Sequence, residues 1–229
     1  MNFRLPALLT SFVMLLAGCA APPQMPVPLA QETLAVPGAR VGIVVETLPV
    51  VNTFFPGANC LLCLAAAELN HTSMSAHVKT LPYENLPEVK TEIADILKKK
   101  GHTVVMIEKL DMKALPDFKH DGKSFARRDF TSLKSKYSID KLVVVSIQMA
   151  GVERNYASYI PVAPPKARIV GASYLVNLNT NALEWYLPLD VMKASDGEWD
   201  EPPKFPGLTN AYFQSLETAR GMIVAPFSK

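Results

Sequence analysis

Residues 170–191 read Val-Gly-Ala-Ser-Tyr-Leu-Val-Asn-Leu-Asn-Thr-Asn-Ala-Leu-Glu-Trp-Tyr-Leu-Pro-Leu-Asp-Val, and this stretch decides the fold class. Val170, Ala172, Tyr174, Val176 and Leu178 recur at every second position. So do Leu183, Trp185, Leu187, Leu189 and Val191, with Glu184 and Asp190 in the alternate set. A period of two puts each apolar set on one face of an extended strand. Asn179-Thr180-Asn181 joins the two strands as a hairpin turn, since Asn tolerates positive φ. Pro188 lies inside the second alternation and has no N–H to give a neighbour, which predicts a sheet edge or a bulge there. An open edge invites pairing with another chain unless something covers it. The expected cover is the helix from Leu208 to Arg220 or the loop carrying Trp199.

Upstream the pattern alternates between strand and helix. Arg40 to Glu46 is a β-branched run between Pro37-Gly38 and Pro49 and predicts a first strand. Pro87 suits the first turn of a helix in which Val89, Ile93, Ile96 and Leu97 fall at helical spacing, with Lys98, Lys99, Lys100 and Gly101 as its stop. Thr103 to Ile107 is a second strand, Ala126, Phe130, Leu133 and Tyr137 mark a third helix face, and Lys141 to Met149 is a third strand. Leu208, Tyr212, Leu216, Ala219 and Ile223 form the face of a last helix. The expected fold class is α/β: a five-stranded mixed sheet in the order strand-helix-strand-helix-strand-strand-strand-helix, with the helices packed on it. The insertion after the first strand holds eight consecutive apolar residues from Cys60 to Ala67, read as a short buried helix capped by Asn59.

Composition narrows the function. The chain has 229 residues, 49% of them hydrophobic, which suffices for one domain of ordinary size with a real core and excludes disorder. Lys and Arg number 23 against 21 Asp and Glu, so the basic footprint of a nucleic-acid binder is missing and no nucleic-acid partner is expected.

At the amino terminus, Arg4 precedes an apolar stretch from Leu5 to Leu16 that is too short to span a membrane, and predicts a signal peptide over residues 1–18. The stretch ends in Leu16-Ala17-Gly18-Cys19, which resembles the lipobox of bacterial lipoproteins. The resemblance implies diacylation of Cys19 on sulfur, cleavage before it and acylation of the new amine. Ala20 follows where lipoproteins retained in the inner membrane typically carry Asp, which implies the outer membrane. Pro22, Pro23, Pro26, Pro28 and Pro37 make residues 19–38 read as a lipidated Cys and semi-rigid tether, ahead of a single periplasmic domain over 39–229.

The element order behind a lipobox also resembles a broad group of envelope lipoproteins. It includes the curli secretion lipoprotein, the lipoprotein activators of penicillin-binding proteins and the amino-terminal domain of the Tol-Pal translocation protein. The residues carrying the likeness are Asp140-Lys141-Leu142-Val143-Val144-Val145 and the hairpin from Tyr174 to Trp185. Where the group commonly has Asp, Thr-Gly and an aromatic, this chain has Asn177, Thr180-Asn181 and Trp185. The resemblance implies a non-enzymatic module for binding or assembly.

No catalytic constellation is readable. Cys60 and Cys63 are an even pair once Cys19 is set aside, and in an oxidising compartment they read as a local disulfide, as buried thiols or as an exchange-active pair at a helix start. His71, His77, His102 and His120 show no metal-ligand spacing, so neither metal nor cofactor is expected. Asp117 stands where a phosphate loop ending in Gly122-Lys123-Ser124 needs its first Gly, and Ser173 lacks the Gly of a nucleophile elbow. The loops offer more. Tyr156 and Tyr159 lie in one Pro-stiffened loop and Trp199 and Phe205 in another; such rings either are partner-binding candidates, as aromatics on stiff loops, or fold back as lids over the sheet ends. The expected function is a membrane-anchored periplasmic lipoprotein, not an enzyme, that binds another envelope protein or its own copies. The alternative is a thiol-disulfide oxidoreductase using Cys60 and Cys63.

Overall fold

Runs of Val and Ile form the middle of the sheet. In the computed structural model, β1 (Arg40–Val45) pairs in parallel with both β3 (Thr103–Met106) and β4 (Lys141–Glu153). β4 then pairs antiparallel with β7 (Lys166–Asn177), and β7 with β8 (Leu183–Ala194), giving the order β3-β1-β4-β7-β8. A sixth strand, β2 (Asn52–Phe54), lies parallel to the far end of β4, and β5 (Tyr156–Ala157) with β6 (Ile160–Pro161) makes a separate small hairpin. The helices are α1 (Leu61–Asn70), α2 (Thr72–Val78), α3 (Val89–Lys99), α4 (Leu133–Tyr137) and α5 (Pro206–Ser228). The five expected strands are β1, β3, β4, β7 and β8; β2 is too short for a period to show. The structure describes residues 23–120 and 122–229, so the expected signal peptide and Cys19 lie outside the described residues.

Both faces of the sheet are buried. On one face Ile43, Val143, Ile169, Leu175 and Trp185 pack with Ile93 and Leu97 of α3 and Tyr212, Leu216, Ile223 and Phe227 of α5. On the other, Val44, Leu142, Val144 and Val176 pack with Ile107, Phe130 and Leu133. Each such side chain contributes about 1.5–3 kcal/mol of apolar burial. Gly101 ends α3 at φ +85°, where His102 N–H donates to the Leu97 carbonyl, the closure that a left-handed residue permits. The α5 face runs one turn beyond Ile223, past Pro226, to Phe227, whose ring meets Trp185 edge to face at 5.1 Å.

Four expectations change. The third helix shortens to α4, because the backbone before it is held elsewhere: Asn181 Oδ1 accepts from Phe130 N–H, and its Nδ2 donates to the carbonyls of Ala126 and Arg128. Leu183 does not share a face with Trp185, since a bulge at Glu184 shifts the register and turns Leu183 into the second core cluster. The edge position of β8 holds, but the backbone edge at Tyr186 is not paired by α5, which packs on the core face of β8, or by the Trp199 loop. Instead Val27 pairs antiparallel with Tyr186, each N–H donating to the other's carbonyl at 2.9 Å. The tether is therefore part of the fold from Val27 onward: Leu34 is buried in the core, and its carbonyl lies 3.0 Å from His102 Nε2.

Candidate functional site

β4, β7 and β8 share one end, where Glu153 stands opposite Lys166 and Lys166 opposite Ala194. Arg168 binds these strands together by donating to Glu153 and, through Nε and Nη2, to both oxygens of Asp190. The hydrogen bonds from Arg168 hold the Asp190 carboxyl below the usual carboxylate range. The β5–β6 hairpin rises from this end and is clamped to the segment before α1, with Tyr156 N–H donating to Pro56 and Ser158 N–H to Gly57. Gly57 sits at φ +87°, and a Cβ there would collide with the Tyr156 carbonyl, so only glycine allows the approach.

Cys60 and Cys63 form a disulfide with Cα atoms 4.9 Å apart. Cys60, not Asn59, caps α1: its Sγ accepts from Cys63 N–H at 2.9 Å. Cys63 and Ala67, one turn apart, are the inward face and pack with Ala58, Phe55 and Tyr156. The helix is not buried as the apolar run suggested. Leu61 is 88% exposed, Leu62 73% and Leu69 77%, because the helix lies on the surface with only its narrow Cys-Ala stripe covered.

Behind α1 lies a polar and aromatic cluster that no sequence spacing announced. His71 Nε2 is 2.7 Å from Tyr156 Oη and 3.0 Å from Arg154 Nη1. Phe55 stacks on the His71 ring at 5.6 Å, and the Arg154 guanidinium sits 4.6 Å from the centre of the Trp199 ring. Leu69, His71, Ser73, Trp199, Asp200 and Phe205 line an open cleft beside it. The four aromatic candidates thus reach one end of the molecule, but in two roles. Tyr156 and Phe205 are buried, closed against His71 and His77, so they shape the cleft rather than contact a partner. Tyr159 is exposed, 3.6 Å from Cys60 Sγ, and Trp199 is half-buried at the cleft. The other histidines have packing partners: His77 contacts Thr209 Oγ1, His102 the Leu34 carbonyl, and His120 stacks on Phe125.

Burial, then the charge of Arg154, lowers the His71 pKa below 6.5; burial, then Lys204, lowers that of His77. Well above pH 6.5 both residues are neutral in folded and unfolded chains, and neither biases folding. As pH falls through 6.5 the unfolded chain takes up protons first, so stability drops until the lowered folded values are passed. The melting temperature is therefore expected to fall between pH 7.5 and pH 5, and His71→Gln to flatten part of that fall. An equally steep fall in the variant contradicts the assignment to His71.

No protein-family model matches the chain, and no curated protein matches it. Among solved structures the chain is similar to the PelC dodecamer from Paraburkholderia phytofirmans, with 8% identity and a TM-score of 0.35 over 89% of this chain and 95% of that one. It is also similar to lipoprotein GNA1162 from Neisseria meningitidis, with 8% identity and a TM-score of 0.31 over 79% and 99%. A third similar structure is hypothetical protein CT253 from Chlamydia trachomatis, with 9% identity and a TM-score of 0.30 over 82% and 99%. Likenesses at this level say nothing of what the chain binds.

Proposed function

We propose that this chain is a lipid-anchored protein of the cell envelope, held in the outer membrane by acyl chains on Cys19 with its α/β domain in the periplasm. In this reading it is not an enzyme but a binding or assembly module, and another envelope protein or a further copy docks at the Trp199 cleft. The observation that carries the docking site is convergence. Residues from α1, α2 and the loop before α5 meet there, and Trp199 borders the opening with its ring braced by Arg154, the residue after β4. A large ring held in place loses little entropy on binding, and Trp is enriched among interface residues that dominate affinity. Among the described residues no helix is long and apolar enough to cross a membrane.

A second reading has one specific observation in its favour. Cys60 is exposed at the start of α1 while Cys63 is buried, the arrangement that thiol exchange requires of an attacking and a resolving sulfur. A photo-crosslinker at Asn70 in intact cells separates the two readings. The binding module is expected to give a discrete crosslinked species, cut about tenfold or more by Trp199→Ala, the scale of an interface hot spot. Cys63→Ser is expected to trap no mixed disulfide. Crosslinking unaffected by Trp199→Ala in a folded domain, or mixed disulfides trapped by Cys63→Ser, overturns the binding reading.

A further inference from the structure

Leu61 and Leu62 follow Cys60 at the start of α1, and Cys60 Sγ lies 3.6 Å from the hydroxyl of Tyr159, which with Ile160 and Val162 belongs to the β5–β6 hairpin segment. All five are exposed, from 52% for Tyr159 to 88% for Leu61. Neither element carries a charge at this surface: residues 60–67 and 155–165 contain no Asp, Glu, Lys or Arg. Single exposed apolar side chains are ordinary, but five on two uncharged segments that touch each other mark an interaction surface. It is also separate from the Trp199 cleft. The rim lies at the amino-terminal end of α1, whereas Leu69 and His71 line the cleft at the other, and ten helical residues span about 15 Å.

The course of the amino-terminal segment says what covers the rim. Val27 pairs antiparallel with Tyr186, so the chain followed backwards from Val27 heads the way β8 runs, from Tyr186 toward Ala194. Ala194 is at the end of the sheet that bears the hairpin and α1. Val27 lies eight positions after Cys19, and Ala194 eight positions after Tyr186. Each stretch reaches at most about 26 Å at 3.3 Å per residue. The stretch from Cys19 to Val27, of which residues 23–26 are described, is thus just long enough to reach the end of the sheet that bears the rim. It is too short to let the domain stand far off.

We propose that the rim formed by Leu61, Leu62, Tyr159, Ile160 and Val162 seats on the lipid leaflet that holds the acyl chains of Cys19, fixing the orientation of the domain on the membrane. The proposal rests on lipid attachment at Cys19 and goes beyond it, since an acyl anchor alone leaves the domain free to turn. Two uncharged apolar projections suit a deformable lipid surface, and a Tyr between apolar neighbours suits headgroup depth. Seated in this way, the rim leaves the Trp199 cleft open to a periplasmic partner.

The test uses the full-length acylated chain in vesicles of phosphatidylethanolamine and phosphatidylglycerol, with an environment-sensitive fluorophore on Ile160→Cys, Val162→Cys or Thr180→Cys. Thr180, in the β7–β8 turn, is at the opposite end of the sheet. Nitroxide lipids labelled roughly 5–10 Å below the headgroups are expected to quench positions 160 and 162 and to spare position 180. Protein that floats with the vesicles while all three positions stay unquenched overturns the proposal and leaves the anchor standing. A blue-shifted but unquenched probe at 160 assigns the rim to a protein surface, such as a second copy, and also overturns it. Protein that carries no acyl chains and does not float removes the anchor and the proposal together, and flotation distinguishes that failure from the others.

Discussion

Asn181→Ala is expected to destabilise the domain by about 3–5 kcal/mol, from two to three buried backbone groups each left without a partner at about 1–3 kcal/mol. Asn181 is fully buried, and its amide holds Phe130 N–H and the carbonyls of Ala126 and Arg128, three groups more than fifty residues away in sequence. It also sits at φ +61°, where a Cβ without a compensating polar side chain adds strain. Asn181→Asp is a useful contrast: it keeps the acceptor for Phe130 but sets a buried carboxylate oxygen against the carbonyls of Ala126 and Arg128, so its loss should equal or exceed that of Ala. Denaturant titration followed by tryptophan fluorescence measures all three. A loss for Asn181→Ala below about 1 kcal/mol, the size of one ordinary hydrogen bond, contradicts the assignment.

The same residue shows how far the sequence reached. Asn179-Thr180-Asn181 was readable as a turn because the signal is local: a positive φ and a residue type that tolerates it. What the Asn181 side chain grips was not readable, since nothing in the spacing of 126–130 marks those backbone groups as held from outside. The helix expected from Ala126 to Tyr137 accordingly shrank to Leu133–Tyr137. Pro188 placed β8 at the edge for a reason intrinsic to one residue, and the edge is where it lies. Its cover by Val27 depends on where a distant segment returns, and period and propensity are silent on that.

The candidate site divides along the same line. Tyr156, Tyr159, Trp199 and Phe205 were legible as aromatics on stiff loops, and the fold gathers them at one end. His71 and Arg154 were not legible as a pair, because their meeting depends on α1 folding back over the end of β4. The apolar run from Cys60 to Ala67 shows a different limit. Length and composition describe a short apolar helix equally well whether it is buried or exposed. Only packing shows that Cys63 and Ala67 are covered while Leu61 and Leu62 project.

Loss of the proposed anchor at Cys19 is expected to have an all-or-none effect on membrane attachment. One acyl chain gives only marginal binding, whereas two or more, at about 0.8 kcal/mol per buried methylene, hold a protein on a bilayer without any spanning helix. Val27 is fixed to β8, so such an anchor would also keep the domain within about 26 Å of the leaflet at 3.3 Å per residue. The most direct measurement is the mass of the amino-terminal peptide of the protein purified from membranes, for the wild type and for Cys19→Ser. The expected result is a wild-type peptide that begins at Cys19 and carries acyl groups on both sulfur and amine, and a Cys19→Ser chain without them that no longer incorporates a fatty-acid analogue. An unmodified Cys19 in the membrane-derived protein, or undiminished labelling of Cys19→Ser, would contradict it.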